Sequence, residues 1–209
     1  MNNLEYRLFY RRNLPHFQPP GATLFVTFRL AGSIPAHVVR ALVAEAKEIE
    51  NKAMYLSNRR EHIYREQKRL WGKWDQALDQ ATTGPFWLRD SQIASLVTGS
   101  LHYLDSRVYD LGTYTVMPNH VHVVFTPLPK DGDEYHSLSS IMHSLKGYTA
   151  GRANRLLGRT GAFWQHESYD HVVRNEAELE RIVAYVINNP VKAGLVEKWE
   201  DWEWTYCKF

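Results

Sequence analysis

Hydrophobic positions follow two rhythms along this chain, and each rhythm predicts a different kind of element. From Ala22 to Leu30 the stretch ATLFVTFRL is dense in β-branched and aromatic side chains, and Pro19, Pro20 and Gly21 precede it as a turn signal, so a strand is expected there. From Pro35 to about Ala81 the composition turns to Ala, Glu, Lys, Arg and Leu at helical spacing, which predicts two helices or one long hairpin, closed by Thr83, Gly84 and Pro85. A further helix starts at Asp90 or Ser91, either of which suits an N-cap, and runs to about Leu104. Two strands follow, Val108 to Met117 and His120 to Thr126, with Pro118 and Asn119 as the turn between them. Pro127 to Ser137 reads as a loop, Ser139 to Leu157 as a helix, Gly158 to Gly161 as its break, and Ser168 to Arg174 as a strand.

The last helix has the clearest signature. Asn175 followed by Glu178 is a capping-box pattern, and Leu179, Ile182, Val183 and Val186 form an apolar stripe at helical spacing. Its end is expected at Asn189, before Pro190, which would leave the Asn189 side chain free to reach outward. The tail from Leu195 to Phe209 carries Trp199, Trp202, Trp204, Tyr206 and Phe209, a composition suited to packing on the domain. Strand, helices, two strands, helix, strand, helix is the order of an α+β sandwich, an antiparallel sheet with helices on one face.

Composition narrows this picture. A chain of 209 residues with 44% apolar side chains buries one proper core, so one domain is expected over 1–209, with a helical insertion at about 45–81 and the aromatic tail at about 195–209. The longest apolar runs, such as Val121–Phe125, fall far below the roughly 18 residues that cross a bilayer. Met1 to Arg12 carries charges and tyrosines where a secretory signal is apolar, so the expected location is the cytoplasm. The single cysteine, Cys207, forms neither an internal disulfide nor a multi-cysteine zinc site, so any metal needs His, carboxylate or amide ligands. Net charge is only +2, but Arg59, Arg60, Arg65, Lys68, Arg69 and Lys73 interleave with Tyr64, Trp71 and Trp74. Such a segment is either a backbone-tracking, base-stacking surface or a solvated helix face with its aromatics in the core.

Candidate chemistry lies in two places. His120 and His122 flank Val121 on a strand, so both imidazoles point to one side, as two ligands of one ion or as ordinary polar surface. Tyr185 and Asn189 stand four apart on the last helix, on neighbouring positions of one face and to one side of the apolar stripe. A flanking tyrosine commonly only packs, yet here an amide donor lies one turn away. Two imidazoles and one amide oxygen leave a cation open to phosphate oxygens and water, which suits Mg²⁺ or Mn²⁺ better than structural zinc. The attacking group would be Tyr185, forming a phosphotyrosine that conserves bond energy for rejoining. Tyr148 is a rival nucleophile, but its partner one turn on is Arg152, which holds a phosphate rather than a cation. Asp170 and His171 either contact a nucleic acid, support the site or form a structural cross-strand pair.

The stretches Met117-Pro-Asn-His-Val-His-Val-Val-Phe125, Tyr185-Val-Ile-Asn-Asn-Pro-Val-Lys-Ala-Gly-Leu-Val196 and Phe163-Trp-Gln165 through Asp170-His171 to Arg174 resemble REP-associated tyrosine transposases, members of the HUH single-tyrosine (IS200/IS605-like) superfamily. The likeness extends to Tyr10-Arg-Arg-Asn-Leu-Pro15 and Pro20-Gly-Ala-Thr23. It implies a ferredoxin-like fold, His120, His122 and Asn189 as metal ligands, and Tyr185 as nucleophile. It also implies a metal-dependent endonuclease and strand transferase for single-stranded DNA hairpins beside repetitive extragenic palindromes, acting as monomer or homodimer, with Arg11, Arg12, Arg152, Asp170, His171 and Arg174 as candidate DNA contacts. Two other readings stay open: a hairpin-binding protein without catalysis, which needs none of the four site residues, and a water-using metal phosphoesterase, for which Tyr185 is dispensable. A relaxase or replication initiator would use the same groups but usually brings a further domain.

Overall fold

The computed structural model describes Pro19 and residues 21–130 and 134–209. Arg11, Arg12 and the stretch Tyr10 to Pro15 lie outside the described residues, as do the side chains of Arg60 and Tyr64. The described residues form two compact units, Gly32–Gly84 and a larger one made of Pro85–Phe209 with the strand before Gly32.

The smaller unit is a helical hairpin, α1 (Ala36–Ala53) and α2 (Arg59–Asp79). Leu42, Ala46 and Leu70 bury one another there, with Val38 and Trp74 packed against them. Two basic residues of α2 are spent on the hairpin itself: Arg69 reaches Glu45 at 2.9 Å and Lys73 reaches it at 2.7 Å. The Lys73 hydrogen bond, aided by the charges of Lys73 and Arg69, holds the Glu45 carboxyl below its ordinary value. For Trp74, Arg69 and Lys73 the structural reading of the basic, aromatic segment therefore holds.

The larger unit is an antiparallel sheet in the order β4-β1-β3-β2-β5. Its strands are β1 (Leu24–Arg29), β2 (Tyr109–Val116), β3 (His120–Pro127), β4 (Tyr169–Val172) and β5 (Thr205–Cys207), and its helices are α3 (Ser91–Leu104), α4 (Leu138–Leu156) and α5 (Glu176–Lys192). Leaving out the hairpin and β5, strand, helix, two strands, helix, strand with β1 between β4 and β3 is the split βαβ topology of a ferredoxin-like sandwich. Local chemistry sets the helix starts: the Asp90 carboxylate accepts the Gln92 N–H at 2.9 Å, and Ser137 Oγ accepts the Ser140 N–H at 3.2 Å.

Strand alternation divides the sheet into two unlike faces. Leu24, Val26 and Phe28 of β1, Leu111 and Val116 of β2 and Val121, Val123 and Phe125 of β3 join one core with Ile93, Val97 and Leu101 of α3 and Ile141 and Leu145 of α4. The alternate positions Phe25, Thr27, His120, His122, Thr113 and Thr115 turn to the other side, where α5 crosses: the Tyr185 ring meets the Phe25 ring edge-on, at 6.2 Å between centroids.

Two sequence expectations about the C-terminal region change. α5 does not stop before Pro190 but includes it and runs to Lys192. A proline deletes one N–H bond, and in the last turn the ladder survives that loss, with Ala193 N–H bonding Asn189 O and Leu195 N–H bonding Pro190 O, each at 2.9 Å. Asn189 is accordingly buried rather than reaching out from a loose end. The aromatic tail, expected only to pack, supplies a fifth strand: β5 pairs with β2, and Thr113 Oγ1 donates to Tyr206 O at 2.7 Å. A bulge at Gly112 makes room for the C-terminal ring, since a Cβ there would lie 2.9 Å from the edge of Phe209.

Candidate active site

The two histidines open β3, directly after the turn of Pro118 and Asn119. That turn is pinned by its backbone: Leu30 N–H donates to Asn119 O at 2.9 Å and Leu88 N–H to Pro118 O at 3.3 Å. Both imidazoles are buried on the α5 side of the sheet, and their Nε2 atoms stand 3.0 Å apart. Their other nitrogens are engaged. Asn119 Oδ1 is 2.7 Å from His120 Nδ1, and Thr27 Oγ1, directly opposite on β1, is 2.7 Å from His122 Nδ1. Both rings thus present Nε2 to a common point.

α5 brings the remaining groups. Asn175 caps it by accepting the Glu178 N–H at 2.9 Å, and Glu178 reaches back to the Arg174 N–H at 3.1 Å, one residue before the cap position of a standard capping box. The other Glu178 oxygen lies 3.2 Å from His171 Nε2, so the helix start is tied to β4 as well. The half-buried Tyr185 ring then lies 5.5 Å from the His122 ring, and Asn189 Nδ2 donates to the Tyr185 hydroxyl at 3.1 Å. Asn189 Oδ1 is fully buried and accepts no hydrogen bond, an arrangement costing about 1–3 kcal/mol unless something electropositive meets the oxygen.

This donor set fits a divalent cation. Two nitrogens about 2.1 Å from one ion and at right angles around it stand about 3.0 Å apart, the spacing of octahedral neighbours. The buried, unsatisfied amide oxygen is the kind of atom that a hard cation satisfies. Positive charge is also close by. The Lys192 ammonium is 5.6 Å from the centre of the Tyr185 ring, and Arg29, paired in register with His120, remains cationic although burial pushes its guanidinium down to about 10.

The other sequence candidates do not gather here. Tyr148 lies exposed on α4, across the sheet from the histidines, with Arg152 Nε donating to its hydroxyl at 3.3 Å. Asp170 and His171 are neighbours on β4 and face opposite ways, Asp170 in register with Val26 and His171 with Phe25. Arg174 is exposed before the cap of α5. In the quoted motif, Phe163 and Trp164 belong to the core, where Trp164 Nε1 donates to Thr149 Oγ1 at 2.8 Å. Sequence reasoning passed over Thr27, the contact of Asn119 with His120, and the nearby charges of Arg29 and Lys192. The only signal for Thr27 and Arg29 was that polar residues alternate with Val26 and Phe28 in β1.

Residues 94–189, from α3 to Asn189, match the family described as Transposase IS200 like. Over 96 residues the chain is 28% identical to the REP-associated tyrosine transposase of Escherichia coli (strain K12), covering 46% of this chain and 53% of that protein. It is 27% identical, also over 96 residues, to the putative REP-associated tyrosine transposase of Haemophilus influenzae, covering 43% of this chain and 54% of that one. The matches thus span about half the length of these curated relatives. A solved structure, that of a REP-associated tyrosine transposase bound to a REP hairpin, shares the fold with a TM-score of 0.53 at 18% identity, over 93% of this chain and 82% of that one. Among the described residues, no helix is long and apolar enough to cross a membrane.

Proposed function

We propose, from the match of residues 94–189 to the family described as Transposase IS200 like, that the chain cuts and rejoins single-stranded DNA at palindromic, hairpin-forming repeats through a covalent 5′-phosphotyrosine on Tyr185. His120, His122 and Asn189 would hold a divalent cation, Mg²⁺ or Mn²⁺. When bound, the ion supplies Lewis-acid polarisation of the scissile phosphate.

The chain's own residues do the rest. α5 holds the Tyr185 hydroxyl beside the imidazole pair, so that its oxygen can reach a phosphorus seated there. The Tyr185 oxygen bonds to phosphorus, the bond to the 3′ oxygen breaks, and the released 3′ hydroxyl takes up a proton. Attack by a 3′ hydroxyl reverses these changes, joins the strands and returns the tyrosine. The Lys192 ammonium, 5.6 Å from the centre of the Tyr185 ring, adds positive charge beside the attacking group. Arg29, beside His120 in register, adds charge for the DNA backbone. On this reading the chain is one HUH-type domain over 1–209 with a helical insertion at about 45–81, it works in the cytoplasm, and Arg11, Arg12, Arg152 and Arg174 contribute backbone contacts.

The observation that carries the reading is the meeting of Tyr185 with His122, ring centres 5.5 Å apart, on the polar side of the sheet. The test is incubation with single-stranded hairpin oligonucleotides and Mg²⁺ or Mn²⁺, followed by a denaturing gel for protein linked to DNA. An adduct that needs the ion and is lost in Tyr185→Phe is the expected result. Cleavage that persists in Tyr185→Phe would assign the attack to water or Tyr148, and hairpin binding without cleavage by the wild-type protein would make it a binding protein.

A further inference from the structure

Resting on this assignment of the cation site, we propose that Asn119 and Thr27 are positioning residues for the histidine pair: Asn119 locks His120 with Nε2 offered to the cation, and Thr27 holds His122 at Nδ1 in either tautomer, so that its Nε2 is free to be offered when the cation is present. A neutral imidazole carries one N–H and one lone pair, and the partner of one nitrogen decides what the other can do. An amide oxygen only accepts. With Asn119 Oδ1 at 2.7 Å, His120 Nδ1 carries the proton, so His120 Nε2 keeps its lone pair. Asn119 is well placed to enforce this, because its side chain is buried and its backbone is held by Leu30.

Thr27 differs because a hydroxyl both donates and accepts. With His120 Nε2 a lone pair, the 3.0 Å contact between the two Nε2 atoms is a hydrogen bond when His122 carries its proton on Nε2 and takes the Thr27 O–H at Nδ1. With a cation at that point, His122 carries its proton on Nδ1 and donates it to Thr27 Oγ1. The proton moves between the nitrogens of one ring and the hydroxyl turns; neither state needs a charged imidazole. Thr27 comes from the strand opposite and fits this place through the register alone, Thr27 against His122.

The experiment measures Mn²⁺ affinity by electron paramagnetic resonance on full-length wild type, T27V, T27S and H122A, with thermal melts as a check on folding. Partners that orient metal-bound histidines typically matter by about 10–100-fold in affinity, so T27V is expected to bind Mn²⁺ about 10–100-fold more weakly, with T27S restoring it. Wild-type affinity in folded T27V overturns the positioning role and leaves the cation site standing. Failure of wild type to bind Mn²⁺, or unchanged affinity in H122A, overturns the site and this inference with it. A readout without substitution guards against a misfolded variant: long-range ¹H–¹⁵N spectra of the Mg²⁺-loaded wild type are expected to show both rings protonated at Nδ1. An Nε2–H tautomer on either ring would sink the proposal.

Discussion

The two faces of one sheet are made by alternate residues of the same strands, yet they are different kinds of surface. On the α3–α4 side, Val121, Val123 and Phe125 of β3 are closed over by Leu, Ile and Val from the helices, and each contact there is interchangeable in principle with another of the same volume. On the α5 side, His120, His122, Thr27, Thr113 and Thr115 are just as buried, but they are paired by direction and distance, and no shape-matched substitute keeps both. The comparison teaches that burial alone does not mark a core. What sets the α5 side apart is a buried acceptor, Asn189 Oδ1, left without a donor on the helix whose Tyr185 ring meets the His122 ring.

The sharpest way to break the comparison is to swap equivalent changes between the two sides. Tyr185→Phe is expected to lower cleavage and adduct formation by about a thousandfold or more, on the scale seen when a nucleophile is removed, with hairpin affinity unchanged. Tyr148→Phe, on α4, is expected to do neither; a gel in which the two variants behave alike would erase the distinction. Phe125→Ala, on the apolar side, is expected to cost about 3–5 kcal/mol of stability by denaturant unfolding. Adduct formed per folded molecule should stay near wild type.

Asn189→Leu sharpens the contrast further. It replaces a buried amide of unsatisfied acceptor by an apolar group of similar size, so the metal-free melting temperature is expected to hold or rise while Mn²⁺ affinity falls about tenfold. A lowered melting temperature without loss of affinity would make Asn189 an ordinary packing residue.

The smallest effect concerns an ionisable group on the helical side. Lys146 of α4 donates to Gln165 O, His166 O and Ser168 Oγ, at 3.0, 3.1 and 2.6 Å, and so anchors the chain that leads into β4. Burial pushes its ammonium down to about 8 from 10.5. Between these values the unfolded chain holds a proton that the folded chain has released, so stability is expected to rise with pH from about 8 until tyrosines begin to ionise near pH 10. Lys146→Met is expected to flatten that slope in urea titrations across this interval; an unchanged slope would show that the buried ammonium is not its source.

Much of this was legible before any coordinates. Asp90 and Asn175 occupy the cap positions expected of them because a helix start is a local problem, solved by a side chain two or three residues from the N–H it satisfies, whereas Ser137, read as the end of a loop, turns out to cap α4. The shared direction of His120 and His122 follows from alternation, and the adjacency of Tyr185 and Asn189 from the helical turn. The expected end of α5 did not follow, because a proline weighs heavily in isolation, whereas one lost bond in a buried last turn weighs little. Nor was the fifth strand visible: Thr205–Cys207 is too short to announce itself, and it exists only because the edge of β2 is there to receive it.

By itself, then, the sequence determined the first four strands and the helices between them, the caps at Asp90 and Asn175, and which side chains share a face, since each depends on residues a few positions apart. Tertiary structure alone decided that Thr27 would meet a histidine 95 residues away, that Tyr185 rather than Tyr148 would share a face with it, and that Asn189 would be sealed in. Those outcomes depend on strand register and on the face that a helix crosses, which are settled by packing between distant segments, and no local pattern encodes them.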